Sequence, residues 1–270
     1  RIQALESLGK LPSQECDRRR VHEVGRRNSS SWRNESSWLQ GQKIVKELKV
    51  LVACECSGIV RDAFYEAGHD AWSCDIKPAD TPTNRHLQMD VREALKLEDW
   101  DLLMVAHPPC TRLCNSGVRW LHEPPVGKTK KQMWSDLDEG AALFRELMNA
   151  PVPMICVENP VMHKYAKERI WGDDWEQGCV DDGTFKRTTI QPWQFAQDID
   201  AKDNVKKMTH LWLKNLPALK KTGQLSKETA RDDIHKAPPS EDRAAFRSKF
   251  HQGIALAMAE QWGNQPGEQK

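Results

Sequence analysis

Short apolar runs recur along the chain from residue 49 onwards, separated by polar segments that contain Gly and Pro. Residues 49–54, 70–75, 102–106 and 153–157 have the length and apolar content of buried β-strands, and residues 86–91 predict a further short strand. Such runs, apolar on both faces, are typical of a parallel sheet that is covered by helices. The pattern therefore predicts a sheet-based core that begins near residue 49.

Helical periodicity lies between the predicted strands. Residues 59–68 carry apolar side chains at helical spacing and end in a glycine, which is a common stop signal. Residues 92–97 and 140–149 also predict helices, the second amphipathic. Strands that alternate with helices in this way predict an α/β protein with an open sheet.

The C-terminal part has a different pattern. Residues 188–195 and 206–213 predict two strands, possible partners in an antiparallel pair. Residues 215–247 are polar and predict a small irregular insert, whereas residues 250–263 predict a helix that packs back on the sheet.

Composition restricts the class of protein. Charged residues make up 29% and apolar residues 39% of the 270 residues, and no apolar run reaches the roughly 18 residues that cross a bilayer. Eight cysteines at scattered spacings favour reduced thiols and a cytoplasmic location. Cys54 and Cys56 could in principle join Cys110 and Cys114 in a zinc site, but no further Cys or His pair completes it, so we predict no metal.

Charge is distributed unevenly although the formal net charge is only +1. Residues 1–50 contain eleven Lys or Arg against six Asp or Glu, which leaves the remainder slightly acidic. Residues 1–47 predict a basic, disordered extension, with a role in phosphate contact or none at all. Any nucleic-acid surface on the folded part must then be a local patch.

Candidate chemistry lies where two predicted strands end. Cys110 follows Pro108 and Pro109 after the strand at 102–106, and Glu158 follows the strand at 153–157. Ligands bind at the carboxyl ends of the strands in open α/β sheets, so a cysteine nucleophile and a proton-donating glutamate are predicted to face one pocket. The structural alternatives are a buried thiol and a helix cap.

Other strand ends predict a nucleotide-type cofactor. The Ser57–Gly58 turn follows the first strand, where backbone N–H groups at a helix N-terminus are expected to face a ligand. Asp75 follows about 20 residues later, the spacing at which a carboxylate meets ribose hydroxyls. Asp90 ends the third predicted strand.

Residues 115–131 predict a long loop beside Cys110. It is basic and contains an aromatic residue, Trp120, among Arg119, Lys128, Lys130 and Lys131. A loop of this length and charge is typical of a lid that closes on a polyanion. The alternative is a solvated surface loop.

In these motifs the chain resembles the DNA cytosine-5 methyltransferases, especially short phage-borne members. The resemblance runs in order over residues 49–263 and rests on Glu55–Cys56–Ser57–Gly58, Asp75, Asp90, Pro108–Pro109–Cys110, Glu158–Asn159, the 206–209 segment and Gln252–Gly253. It implies a Rossmann-like sheet with helices on both faces that binds S-adenosylmethionine, a catalytic domain at 48–214, a reduced recognition insert at 215–247 and a packing helix at 248–263. The implied cofactor-binding residues are Cys56, Ser57, Gly58, Asp75 (ribose), Ile76, Asp90 (adenine amino group), Pro109, Gln252 and Gly253.

The resemblance also implies a mechanism and a partner. Cys110 would add to C6 of a flipped cytosine while Glu158 hydrogen-bonds the ring, so that C5 accepts a methyl group. The implied catalytic set is Cys110, Glu158, Asn159, Lys207 and Thr209, and the implied DNA contacts are Thr111, Arg119, Lys128, Lys130 and Lys131. Double-stranded DNA is the implied substrate, for a monomer in the host-cell cytoplasm.

Several positions depart from the family pattern. The family usually has Phe at Cys56, a second glycine near Val60 and Gln at Thr111. Its usual Gln-x-Arg-x-Arg segment is replaced by Lys206, Lys207 and Thr209, and the insert is too short for the usual recognition domain, so we expect short or relaxed sequence recognition.

Three alternatives remain at this stage. The enzyme could act on a free cytosine nucleotide or a single strand, and the chain could be a catalytically silent DNA- or cofactor-binding module. Methylation of an amino group is a third alternative, although His107 and Cys110 fit the motif of those enzymes poorly.

Overall fold

The computed structural model describes residues 46–106, 108, 110–172, 185–236, 238, 247 and 249–264. Its seven strands are β1 (Lys49–Ala53), β2 (Asp70–Asp75), β3 (His86–Gln88), β4 (Leu102–Val105), β5 (Met154–Pro160), β6 (Lys186–Ile190) and β7 (Thr209–Lys214). The helices within the described ranges are α1 (Ile59–Glu66), α2 (Val91–Ala94), α3 (Lys130–Met148), α4 (Lys164–Trp171), α5 (Asp233–Lys236) and α6 (Gln252–Gly263). Three 3₁₀ segments cover Cys110–Arg112, Asn115–Leu121 and Pro192–Phe195.

The strands form one mixed sheet in the order β3-β2-β1-β4-β5-β7-β6. The first five strands of that order are parallel, whereas β7 runs antiparallel to both β5 and β6. The chain order reverses between β1 and β4, and a crevice for ligands is expected outside the carboxyl ends of strands at such a point. The turn after β1 and the Cys110 segment after β4 both lie at this edge.

Side chains of the central strands alternate between two cores. Leu51 and Leu103 belong to the core on the face covered by α3 and α4. Val52 and Met104 belong to the core on the opposite face, under α1 and α6. Every second side chain therefore contributes to a different core, and the predicted α/β class with helices on both faces of a Rossmann-like sheet is confirmed.

The predicted loop at residues 115–131 is wrong at both ends and is confirmed only for residues 122–129. Residues 115–121 form a 3₁₀ helix, and α3 begins at Lys130, ten residues before the predicted start. Thr129 is the N-cap of α3: its hydroxyl accepts the Gln132 N–H (3.2 Å) and its own N–H donates to the Gln132 side chain (2.8 Å). This reciprocal capping box starts the helix before its apolar stripe becomes dense.

Smaller differences occur at other boundaries. Asp90 caps α2 instead of ending β3, and β7 begins only at Thr209. Residues 192–195 form a 3₁₀ turn rather than a strand end, and α6 begins at Gln252. The predicted extension at residues 1–47 lies outside the described residues except for its last two, of which Lys46 pairs with Asp101 (2.7 Å).

Membrane-spanning length was tested over the same residues. None of the helices in the described ranges combines the length and apolar character required to cross a bilayer.

Candidate active site

Cys110 is the first residue of the tight turn that follows β4. The N–H groups of Leu113 and Cys114 both donate to the Cys110 carbonyl oxygen, at 2.9 Å each, and this fixes the turn. His163, the N-cap of α4, supports the turn by donating from Nε2 to the Arg112 carbonyl oxygen (2.6 Å) while its Nδ1 accepts the Ala166 N–H. Sequence reasoning did not identify His163.

The electrostatic surroundings of Cys110 favour the neutral thiol. Burial, the negative charge of Glu158 and the neighbouring Cys114 together raise the pKa of Cys110 to about 12, against the opposing influence of Lys207. The second thiol, Cys114, is buried and its Sγ lies 3.0 Å from the Ser116 hydroxyl. Cys110 is therefore within electrostatic reach of Glu158 and Lys207, and a pocket shared by Cys110 and Glu158 stays a prediction.

Glu158 lies inside β5 with only 5% of its surface exposed. The Thr209 hydroxyl, on the adjacent strand β7, donates to Glu158 Oε1. Burial raises the pKa of the Glu158 carboxyl, against the opposing influence of Lys207 and the Thr209 hydrogen bond. Glu158 is consequently a carboxyl group with an increased tendency to hold a proton.

Asn159 is not brought together with Glu158. Neighbouring side chains on a strand point to opposite faces, so Asn159 projects towards the other core. It is fully buried, its Nδ2 donates to the Pro160 carbonyl oxygen (2.6 Å), and its Oδ1 has no hydrogen-bond partner among the described residues.

A pocket opens beside Glu158, between the β5-β7-β6 part of the sheet and the N-terminus of α6. Its polar lining consists of Glu158, Lys207, Thr209 and His251, and its apolar lining of Ile190, Pro192, Leu211, Phe250 and Ile254. Three of the four polar residues belong to the predicted site. The fourth, His251, was missed.

His251 is held in place by Asp203. His251 Nδ1 lies 3.1 Å from Asp203 Oδ1, and the Gly253 N–H donates to Asp203 Oδ2 (2.6 Å). Burial by itself would raise the pKa of Asp203, but the hydrogen bonds from His251 and the α6 backbone lower it below its ordinary value. Burial lowers the pKa of His251. Asp203 lies 48 residues from His251 along the chain, so no local pattern reports the pair.

The turn after β1 differs from its prediction in one respect. Gly58 has a φ of 74°, and a Cβ there would lie 2.1 Å from the buried Arg61 guanidinium. Glu55, fully buried, accepts the N–H groups of Val60 (2.8 Å) and Arg61 (3.2 Å) and the Ser57 hydroxyl (3.2 Å). The helix N–H groups that were expected to face a ligand are therefore already bonded within the protein.

Asp75 and Ile76 lie at the carboxyl end of β2, on the same edge of the sheet. Asp75 accepts the Lys77 N–H (2.9 Å), and burial together with Asp75 raises the pKa of Cys56 to about 11. Ile76 is 72% exposed, which is unusual for a residue of its size and apolar character.

Two of the remaining predicted cofactor residues, Asp90 and Gly253, are engaged within the protein. Asp90 caps α2 through the Arg92 N–H (2.8 Å) and is paired with the Arg92 side chain. Gly253 is packed so closely that a Cβ would meet the Phe195 carbonyl oxygen at 2.5 Å. Gln252 begins α6, while Pro109 lies outside the described residues.

The predicted DNA contacts share one property, which is exposure to solvent. Thr111, Arg119, Lys128, Lys130 and Lys131 are all exposed. Thr111 belongs to the turn that carries Cys110, and Lys130 and Lys131 form the first turn of α3 rather than part of a loop. The Arg119 guanidinium lies 4.2 Å from the centre of the Trp120 ring.

Metal ligands were sought among the same side chains. Within the described ranges, no three His, Cys, Asp or Glu residues are grouped so that they could hold a metal ion.

No protein-family model matches the chain, and no curated protein matches it. The solved structures that overlap with part of it include the following three. A protein described as a DNA modification methyltransferase from an E. coli prophage has 13% identity and a TM-score of 0.36, over 62% of this chain and 46% of that one. S. pombe Dnmt2 methyltransferase has 16% identity and a TM-score of 0.33, over 72% of this chain and 57% of that one. Entamoeba histolytica methyltransferase EhMeth has 14% identity and a TM-score of 0.36, over 72% of this chain and 61% of that one. The chain thus spans less than two thirds of each of these proteins, and overlaps of this size assign it no activity.

Proposed function

We propose that the chain transfers a methyl group from S-adenosylmethionine to C5 of cytosine in double-stranded DNA. The observation that carries the proposal is that Cys110, on the turn after β4, lies within electrostatic reach of the buried Glu158 on the parallel neighbour β5. A thiol nucleophile beside a carboxyl group that tends to hold a proton suits an electron-poor ring that must be attacked at one atom and hydrogen-bonded at another.

Cys110 and Glu158 are coupled through their charges. The negative charge of Glu158 raises the pKa of Cys110, so protonation of Glu158 makes the thiolate easier to form. The protonated carboxyl can also donate to N3 of cytosine, which stabilises the charge that develops on the ring when the Cys110 sulfur bonds to C6. Lys207 favours the thiolate because it lowers the pKa of Cys110, and it also lowers the pKa of Glu158, where burial acts in the opposite direction.

The edge of the sheet near Asp75 fits S-adenosylmethionine. The exposed side chain of Ile76 offers an apolar surface for the adenine ring, and Asp75 at the strand end can accept hydrogen bonds from ribose hydroxyls. Cys56, Ser57 and Gly58 form the turn next to that strand. When bound, the cofactor supplies an electrophilic methyl group on a positively charged sulfur.

The exposed cations beside Cys110 fit a polyanionic substrate. Arg119, Lys130 and Lys131 can neutralise phosphates, whereas Thr111 lies next to the nucleophile itself. Because C6 of cytosine cannot be reached inside a duplex, the target base must leave the stack before Cys110 attacks.

The test is methyl transfer from labelled S-adenosylmethionine to duplex DNA, single-stranded DNA and dCTP in parallel, with mass analysis of the nucleosides. We expect 5-methylcytosine in the duplex, and its loss in Cys110→Ser with cofactor binding retained. Cys114→Ser is the matched control, since that buried thiol contacts Ser116 and should affect transfer only mildly.

Other outcomes would replace this proposal. Label in dCTP alone or in single strands alone would favour the alternative substrates, a free cytosine nucleotide or a single strand. Label in none of the three would favour a catalytically silent binding module. Normal turnover by Cys110→Ser would show that Cys110 is not the nucleophile.

A further inference from the structure

The ring of His251 has one nitrogen without a partner. Nδ1 faces Asp203, whereas Nε2 is buried and has no hydrogen-bond partner among the described residues. The residue lines the same pocket as Glu158, Lys207 and Thr209. Buried polar atoms are normally hydrogen-bonded. An unpartnered nitrogen at a pocket wall is therefore available to bind a ligand.

Another histidine of the same site provides an internal comparison. His163 uses both ring nitrogens within the protein, one with the Arg112 carbonyl oxygen (2.6 Å) and one with the Ala166 N–H (3.1 Å). His163 is thereby explained as a structural residue. His251 is not explained in this way, because only half of its hydrogen-bonding capacity is used.

The partner on Nδ1 determines the tautomer of His251. An ionised aspartate only accepts hydrogen bonds, so Nδ1 must carry the proton and donate it to Asp203. Asp203 stays ionised because His251 and the Gly253 N–H both bond to it. In the neutral ring Nε2 is then a lone-pair acceptor, held in a fixed direction by the carboxylate behind it. An Asp–His pair in this arrangement is suited to accept a proton and to stabilise the resulting imidazolium.

We propose that His251 Nε2 is the base that removes the C5 proton, with Asp203 as its positioning residue; this rests on the function proposed above. Once C5 carries the methyl group, the C5–H bond breaks and its proton goes to Nε2. The bond's electron pair forms the C5=C6 double bond, the bond between C6 and the Cys110 sulfur breaks, and the thiolate leaves with that bond's electrons. Asp203 stabilises the imidazolium until the proton passes to water.

The experiment separates proton removal from the earlier attack. Duplex DNA labelled with tritium at C5 of cytosine is mixed with S-adenosylmethionine and the enzyme, and two signals are followed: the covalent protein–DNA complex on denaturing gels and the release of tritium. The variants are His251→Gln, which keeps polarity but cannot take the proton, Asp203→Asn, and the exposed His122→Gln as the matched control. Thermal unfolding verifies that each variant is folded.

We expect His251→Gln to form the complex and to accumulate it, with tritium release slowed by about 100-fold or more, the usual range for loss of a general base. Asp203→Asn should slow tritium release less than His251→Gln does, and it should shift the acidic limb of the pH profile of release. The ionisation of Glu158 and Lys207, which line the same pocket, also contributes to that profile. His251→Ala should regain release when imidazole is added.

Three results would overturn the inference. Release at the wild-type rate in His251→Gln would exclude the base role, and loss of the complex together with release would indicate a structural role. A wild-type chain that neither releases tritium nor methylates the duplex would refute this inference and the proposed function together, whereas the first two results leave the proposed function intact.

Discussion

Replacing Thr209 by valine removes the hydroxyl that donates to Glu158 and keeps the shape of the side chain. Both residues are at most 5% exposed, so water has little access to replace the lost donor. A hydrogen bond to an ionised group contributes about 1.5–3 kcal/mol, against about 0.5–1.5 kcal/mol for a neutral one. The cost of Thr209→Val should therefore depend on whether Glu158 carries a charge.

The sign of this dependence follows from the Glu158 pKa. That pKa is raised in the folded protein, so the contribution of Glu158 to stability is present at low pH and is lost as pH rises through the folded pKa. Thr209→Val raises the pKa of Glu158 further because the hydroxyl favours the ionised form. We expect the free energy of unfolding to fall by about 2 kcal/mol at alkaline pH and by about 1 kcal/mol where Glu158 is protonated, a difference equal to roughly one pKa unit.

Urea unfolding at several pH values measures this difference. The matched control is Thr188→Val on the neighbouring strand β6, whose hydroxyl is buried and has no hydrogen-bond partner within the described ranges. Removing that hydroxyl should leave stability unchanged or increase it. A Thr209→Val cost that stays constant with pH, or an equal cost for Thr188→Val, would refute the assigned coupling between Thr209 and the Glu158 charge.

Three further predictions concern other parts of the fold. Gly117→Ala would place a Cβ 2.0 Å from the Thr111 carbonyl oxygen, so we expect a lower melting temperature and less covalent complex, and normal values of both would contradict the packing described for the Cys110 turn. Gly58→Ala requires a left-handed non-glycine residue and displaces Arg61, so stability should fall by at least about 1–2 kcal/mol in denaturant titrations, and a cost below that would show that the turn relaxes. The pKa of His210 is lowered to about 4 by burial and by Arg187, so its contribution to stability is present above pH 6.5 and is lost as pH falls towards 4, by up to about 3 kcal/mol. Unfolding curves of His210→Gln should show a smaller loss over that range, and an equal loss would assign the acid sensitivity to other groups.

The strand starts at Lys49 and Leu102 could be predicted because the runs that begin there are apolar on both faces. The start of α3 was missed because only Met133 and Leu137 are buried in its first two turns, which leaves a weak periodic signal. Its Thr–x–x–Gln capping box was visible in the sequence and would have located it.

In the candidate site, too, some residues could be predicted from the sequence and others could not. Cys110 and Glu158 could be found because each lies beyond the run in which β4 and β5 pair, and parallel neighbours bring such positions to one edge of the sheet. His251 and Asp203 could not, since their approach depends on how α6 folds back over the sheet. The roles assigned to the site residues stay predictions until the variants above are measured.

The buried carboxyl of Glu55 has a consequence for which ligands the sheet can accept. In dinucleotide-binding folds the first helix uses its free N–H groups to hold a pyrophosphate. Here Glu55 occupies that position through Val60 and Arg61, so a phosphate would find these donors taken. One glutamate thus removes the backbone donors with which the first crevice of the sheet would hold a phosphate-bridged cofactor.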